Sequence, residues 1–117
     1  MFGFKKDGSK DSNKRQHKRV DFFQSSYYLV MAENRAPASS ECWFTNISAG
    51  GLSFDTKKTD ITEGDEVKVL YKIGTKFRND RLNVRFIRKS LDSFKCGCEF
   101  IEPDTERSDL IKNMITH

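Results

Sequence analysis

Val67-Lys68-Val69-Leu70-Tyr71-Lys72-Ile73 sets Val67, Val69, Tyr71 and Ile73 against Lys68, Leu70 and Lys72. Successive side chains of an extended strand point to opposite faces, so this period of two predicts a strand with one buried face. The alternation returns twice downstream. Leu82, Val84 and Phe86 alternate with Arg81, Asn83 and Arg85, and Phe94, Cys96, Cys98 and Phe100 alternate with Lys95, Gly97 and Glu99. Working back from Val67, Ser26-Tyr27-Tyr28-Leu29-Val30-Met31 and Glu41-Cys42-Trp43-Phe44-Thr45 are rich in β-formers, and Leu52-Ser53-Phe54 is a short alternating strand. Loops are predicted for Glu33 to Ser40, Asn46 to Gly51 and Thr59 to Gly64, where Gly, Pro, Asn and Ser gather.

After Phe100 the texture becomes helical. Pro103-Asp104-Thr105-Glu106 places Pro and acids where a first helical turn favours them. Leu110, Ile111, Met114 and Ile115 then form a stripe at spacings of three and four, predicting a terminal helix of about three turns packed on the sheet. The pattern is therefore a basic arm, six antiparallel strands and one helix: a small barrel or sandwich.

A chain of 117 residues suits one domain. Its hydrophobic fraction of 36% is low, but ten Phe, three Tyr and one Trp can build a compact core, because each buries far more area than Ala or Val. No run of about 18 apolar residues is present, so no membrane span is expected. Met1-Phe2-Gly3-Phe4-Lys5-Lys6 lacks the apolar stretch of a signal peptide, and three cysteines fit a reducing compartment; the expected location is the cytoplasm. Cys96 and Cys98 share the apolar face of a strand and read as small buried hydrophobes. No further Cys or His pair completes a zinc set, so no metal is expected.

Charge is concentrated at one end. Residues 1–19 hold seven Lys/Arg and two Asp, a net +5, so residues 20–117 carry −1 of the chain's +4. This points to a local anion site on a balanced domain. Catalysis is disfavoured. His17 and His117 are the only histidines, neither is placed for a nucleophile-base pair, and no phosphate loop ending in Lys-Ser/Thr occurs.

Two motifs can recognise anions and bases. Lys14-Arg15-Gln16-His17-Lys18-Arg19 carries two arginines four positions apart; a guanidinium fork bonds phosphate oxygens or a guanine edge bidentately, and its face stacks on a base. Asn46-Ile47-Ser48-Ala49-Gly50-Gly51 offers an amide that both donates and accepts, a hydroxyl, and glycines that permit close approach; it also reads as an ordinary β-turn. Together, Arg15-x-x-x-Arg19 followed by Asn46-x-Ser48-x-x-Gly51 resembles the cyclic di-GMP signature of the PilZ family. Gly97-Cys98-Glu99-Phe100 and Val84-Arg85-Phe86-Ile87-Arg88 resemble that family's last two barrel strands, and the likeness covers residues 14 to 116.

The resemblance implies a six-stranded antiparallel β-barrel at 14–117 with a C-terminal helix, preceded by a flexible basic N-terminal arm at 1–13. It implies that residues 14–24 form a loop closing over cyclic di-GMP. Arg15 and Arg19 would contact guanine and phosphate, Asn46 and Ser48 would meet a guanine from the barrel surface, Gly51 would allow close approach, and Lys14 could add a phosphate contact. The protein would be a stand-alone receptor, not an enzyme, signalling to an effector protein that the residues do not name. No cofactor beyond the ligand is expected. One alternative is a single-stranded nucleic-acid binder using Tyr27, Tyr28 or Phe77, which the −1 charge after residue 19 disfavours. Another is a ligand-independent PilZ-like scaffold for protein interaction.

Overall fold

The computed structural model describes residues 18–31, 38–57 and 60–116, with the side chains of residues 38 and 116 left out. Six strands, β1 (Val20–Met31), β2 (Ala38–Ser48), β3 (Gly51–Thr56), β4 (Glu66–Ile73), β5 (Lys76–Ser90) and β6 (Ser93–Phe100), precede one helix, α1 (Thr105–Thr116). The strands close into an antiparallel barrel in the order β1-β2-β3-β6-β5-β4, so the sandwich is excluded.

Period-two alternation builds the interior. Val67, Val69, Tyr71 and Ile73 of β4 are buried, as are Leu82 and Val84 of β5 and Cys96, Cys98 and Phe100 of β6. Aromatic rings fill the centre: Phe22 stacks on Phe44 at 5.8 Å, Tyr28 on Phe54 at 5.2 Å, and Tyr71 meets Phe44 edge-on at 6.0 Å. Tyr28 therefore lies in the core, and of the three aromatics considered for stacking on bases only Tyr27 and Phe77 are exposed. The cysteines are free and buried, and burial pushes the Cys42 and Cys96 thiols up to about 12, which keeps them protonated.

The strands run further than the alternation reveals. β1 begins at Val20, so residues 20–24 of the expected closing loop are strand. The reason is Phe22, which is buried in the core, and Gln24. The side-chain amide of Gln24 donates to the Lys72 carbonyl (2.9 Å) and accepts from the Lys72 N–H (2.8 Å). That two-way bond closes the barrel seam where the backbone ladder between β1 and β4, running only from Tyr28↔Val69 to Met31↔Glu66, has ended. Residues 38–40, predicted as loop, belong to β2, while 32–37 lie outside the described residues.

Phe86 is a second departure. The ladder between β5 and β6 pairs Val84 with Cys98 and then Phe86 with Gly97, so Arg85 is an extra residue, a β-bulge. The bulge reverses the facing of the β5 residues after Arg85. Ile87 pairs with Cys96 and packs on the core, whereas Phe86 turns to the outer face with Gly97.

At one end of the barrel α1 is clasped by charge. Asp104 caps it, accepting from the Arg107 N–H at 2.8 Å. Arg78 of β5 donates to both Asp80 oxygens (2.9 and 3.0 Å), to Asp104 (2.6 Å) and to Glu106 (2.7 Å). The Tyr71 hydroxyl also donates to Asp80. Arg107 lies with its guanidinium carbon 3.7 Å from the centroid of the Phe100 ring, donates to the Glu102 carbonyl and approaches Asp80 at 3.5 Å. Burial alone would raise the Asp80 pKa, but the hydrogen bonds from Arg78 and Tyr71 win and hold it below the usual carboxylate range.

Candidate ligand-binding face

The composition of Asn46, Ile47 and Ser48 predicts a turn, yet they form the end of β2. The turn itself is two residues, Ala49 and Gly50, between the paired Ser48 and Gly51. A bulge at Thr45, where Phe44↔Phe54 is followed by Asn46↔Ser53, moves the inward position from Phe44 to Ile47. Asn46 and Ser48 are thereby set on the outer side, flanking the buried Ile47. The half-buried Asn46 amide has no hydrogen-bond partner among the described residues. The Ser48 hydroxyl is engaged locally, accepting from the Gly50 N–H (3.2 Å) and reaching the Gly51 carbonyl (3.4 Å). It is Ser48, then, that braces the hairpin.

Gly51 has a physical reason within the fold itself. A Cβ there would stand 2.0 Å from the Cys98 carbonyl oxygen, so its bare Cα lets β3 approach the β6 backbone. A Cβ at Gly97 would fall 1.9 Å from a Phe86 ring carbon, because that ring covers the glycine. In the sequence Gly97 stands out only as part of a family pattern. The available signal was a glycine inside an alternating strand, which marks close approach.

Arg19 is exposed and immediately precedes Val20, which pairs with Ile47. The β1 ladder thus brings the end of the arginine motif beside the Asn46–Ser48 segment. Lys14, Arg15 and His17 lie outside the described residues, as do Phe2 and Phe4. Lys18 is described and lines a cavity of about 300 Å³ with Ala49 and, from α1, Ser108, Asp109, Ile111, Lys112 and Ile115. From Asp21 the ladders define a row over the outer surface: Asp21↔Asn46, Asn46↔Ser53, Ser53↔Gly97, Gly97↔Phe86.

The guanidiniums divide sharply. Arg78, Arg81, Arg85 and Arg107 each face a carboxylate, Arg81 on Glu66 at 2.7 Å and Arg85 on Glu99 at 3.6 Å. Arg19 and Arg88 have no carboxylate partner among the described residues. An exposed cation beside a vacant amide on a barrel wall is equipped to bind an anion that also carries a base edge.

The chain matches the PilZ domain over residues 13–117. It belongs to the PilZ family. This PilZ domain is similar in fold to solved structures. Its TM-score is 0.67 against the Bacillus subtilis inhibitor of motility (MotI/DgrA), at 19% identity over 88% of this chain and 50% of that one. Against the PilZ domain of Escherichia coli YcgR with c-di-GMP it is 0.64, at 12% identity over 88% and 89%. Against the K. pneumonia MrkH–c-di-GMP complex it is 0.65, at 12% identity over 88% and 50%. The chain spans about half the length of MotI/DgrA and MrkH. No curated protein matches it in sequence. Among the described residues, no helix is long and apolar enough to cross a membrane, and no group of three or more His, Cys, Asp or Glu side chains could hold a metal ion.

Proposed function

We propose that this PilZ domain is a receptor for cyclic di-GMP, in which the arginine segment folds over the ligand against the outer face of β2 and an effector protein reads the closed state. The observation that carries the reading is the placement of Arg19, exposed and without a carboxylate among the described residues, beside the strand that bears Asn46 and Ser48. Arg19 stands 27 positions before Asn46 in the chain, and the pairing of Val20 with Ile47 brings it beside that segment. Family membership and the c-di-GMP complexes of YcgR and MrkH support it.

The chemistry fits the ligand. Cyclic di-GMP presents two phosphates and two guanines. Arg15 and Arg19 supply forks for phosphate oxygens or the O6/N7 edge of guanine, and Lys14 a point charge for phosphate. Asn46 offers its free amide to a base edge. Ser48, braced in the hairpin, keeps a lone pair for a polar atom of the ligand, and Gly51 holds that hairpin close to β6 rather than touching the ligand. Charge-assisted hydrogen bonds are each worth about 1.5–3 kcal/mol, so a few of them reach micromolar affinity, about −8 kcal/mol, after loop ordering is subtracted. Recognition and closure need no bond to be made or broken, so the role is reception and not catalysis.

Calorimetric titration with cyclic di-GMP tests this, with GMP and cyclic di-AMP as controls and the Arg15→Ala/Arg19→Ala variant alongside. The expected result is selective heat at micromolar or tighter affinity that vanishes in the variant. A folded wild-type protein that gives no heat, and no binding by a second method, overturns the reading.

A further inference from the structure

The other arginine that faces no carboxylate among the described residues is Arg88, and its setting is built. The Arg85 bulge turns Phe86 outward, Gly97 removes the side chain that would block it, and the ring lies down on the glycine. The Arg88 guanidinium carbon then sits 4.8 Å from the centroid of that ring. A cation held on an aromatic face keeps its fork of N–H donors free at the edge and its outer face free for stacking. The carboxylates that reach β5 nearby are already used. Glu99 faces Arg85 at 3.6 Å, and Glu63 accepts from the Ile87 N–H at 3.3 Å. Without the bulge Phe86 would point into the core and Arg88 would have nothing to lie on.

The platform also has a position. Phe86 ends the row Asn46–Ser53–Gly97–Phe86, three strand steps from Asn46, or about 14 Å along the wall at ordinary interstrand spacing. Gly97 lies under the ring itself, so the only residue of the row between Asn46 and the ring is Ser53, a small and buried side chain. Arg19 and Asn46 mark one end of this track, and Arg88 marks the other.

We infer that Arg88, supported on Phe86 over Gly97, is a further ligand-contacting residue of the same face and reads the guanine at the far end of a cyclic dinucleotide. The inference rests on the receptor reading above. Arginine distinguishes guanine because O6 and N7 are two acceptors that match two parallel N–H groups, whereas adenine presents a donor at N6 in place of O6. The second base is thus selected by fork geometry as well as by charge, and a ligand with one base forfeits the contact.

The test is the affinity of the full chain for cyclic di-GMP and cyclic di-AMP, measured on wild type, Arg88→Ala and Arg88→Lys, with thermal unfolding recorded for each. Arg88 is exposed and forms no ion pair with a described residue, so both variants keep the wild-type melting temperature. Arg88→Ala is expected to weaken cyclic di-GMP binding about tenfold or more and to shrink the preference over cyclic di-AMP. Arg88→Lys recovers part of the affinity but not the preference, because a point charge has no fork. If wild type binds cyclic di-GMP and Arg88→Ala binds it within twofold with unchanged selectivity, the role of Arg88 is overturned and the receptor reading stands. If wild type does not bind, both fall.

Discussion

The clasp at the barrel end and the outer wall of β2, β3 and β6, flanked by Arg19 just before β1 and Arg88 on β5, both involve arginines, and they treat charge in opposite ways. At the clasp, Arg78 and Arg107 are nearly buried and Arg78 meets three carboxylates, while the Arg107 ring contact and backbone bond add to its Asp80 contact. On the wall, Arg19 and Arg88 are exposed and meet none among the described residues. The clasp's electrostatics are spent on holding α1 to β5. The wall's charge is left over, and an unspent guanidinium beside an unspent amide is the condition for recognising a ligand from solution. Burial explains why the two sets cannot exchange roles. A desolvated arginine must be matched or the fold suffers, whereas an exposed one waits in water at little cost.

Breaking the clasp gives the largest expected effect. Asp80→Ala removes the buried carboxylate that Arg78, Arg107 and the Tyr71 hydroxyl share and should cost about 3–5 kcal/mol in urea denaturation. Cyclic di-GMP affinity should persist in whatever fraction stays folded. A loss of affinity with full stability would merge the two regions and break the comparison.

Gly51→Ala comes next, because Gly51 sits in the ligand motif yet serves packing. Its Cβ would meet the Cys98 carbonyl oxygen at 2.0 Å, and relieving that clash should cost about 1–3 kcal/mol in the same assay. Unchanged stability with weakened binding would return Gly51 to the ligand.

The smallest effect is the acid response of the clasp. Asp80 is held low by Arg78 and Tyr71 against its own burial, and Asp104 is held low by the Arg107 N–H and Arg78. A carboxylate whose folded pKa is depressed stabilises the fold above its unfolded value, 3.8, and that contribution is lost as pH falls through the lower folded value. Melting temperatures measured from about pH 6 down to about pH 2.5 should therefore fall in wild type chiefly below about pH 4. The fall should be shallower in Asp104→Asn. An equal slope in both would remove Asp104 from the clasp's titration.

Much of this was readable in the chain. The three alternating segments from Val67 to Phe100 became β4, β5 and β6, and the apolar stripe after Pro103 became α1. The positions of the wall residues were less readable, for a common reason. Asn46 follows one bulge and Phe86 another, and alternation carried past a bulge assigns the wrong face. Asn46 and Ser48, whose composition suggested a turn, continue β2 beyond the Thr45 bulge, and the Arg85 bulge sent Phe86 outward when its period put it in the core. The clasp was invisible because Arg78, Asp80 and Arg107 are charged residues whose burial depends on one another, a relation that no one-dimensional pattern contains. The early start of β1 was hidden because Gln24 closes the seam with a side chain where a backbone ladder would be expected.

The central claim is that the unpaired arginines serve the ligand and the paired ones serve the fold. It is tested most directly by reversing one exposed charge of each kind and titrating cyclic di-GMP into Arg19→Glu and Arg81→Glu. Both variants change the protein's net charge equally, but among the described residues only Arg81 faces a carboxylate, Glu66, at 2.7 Å. The account predicts that Arg19→Glu abolishes binding with its melting temperature intact, while Arg81→Glu binds within twofold of wild type. Equal loss in both would mean that only the overall field attracts the ligand, and binding retained in Arg19→Glu would contradict the account outright.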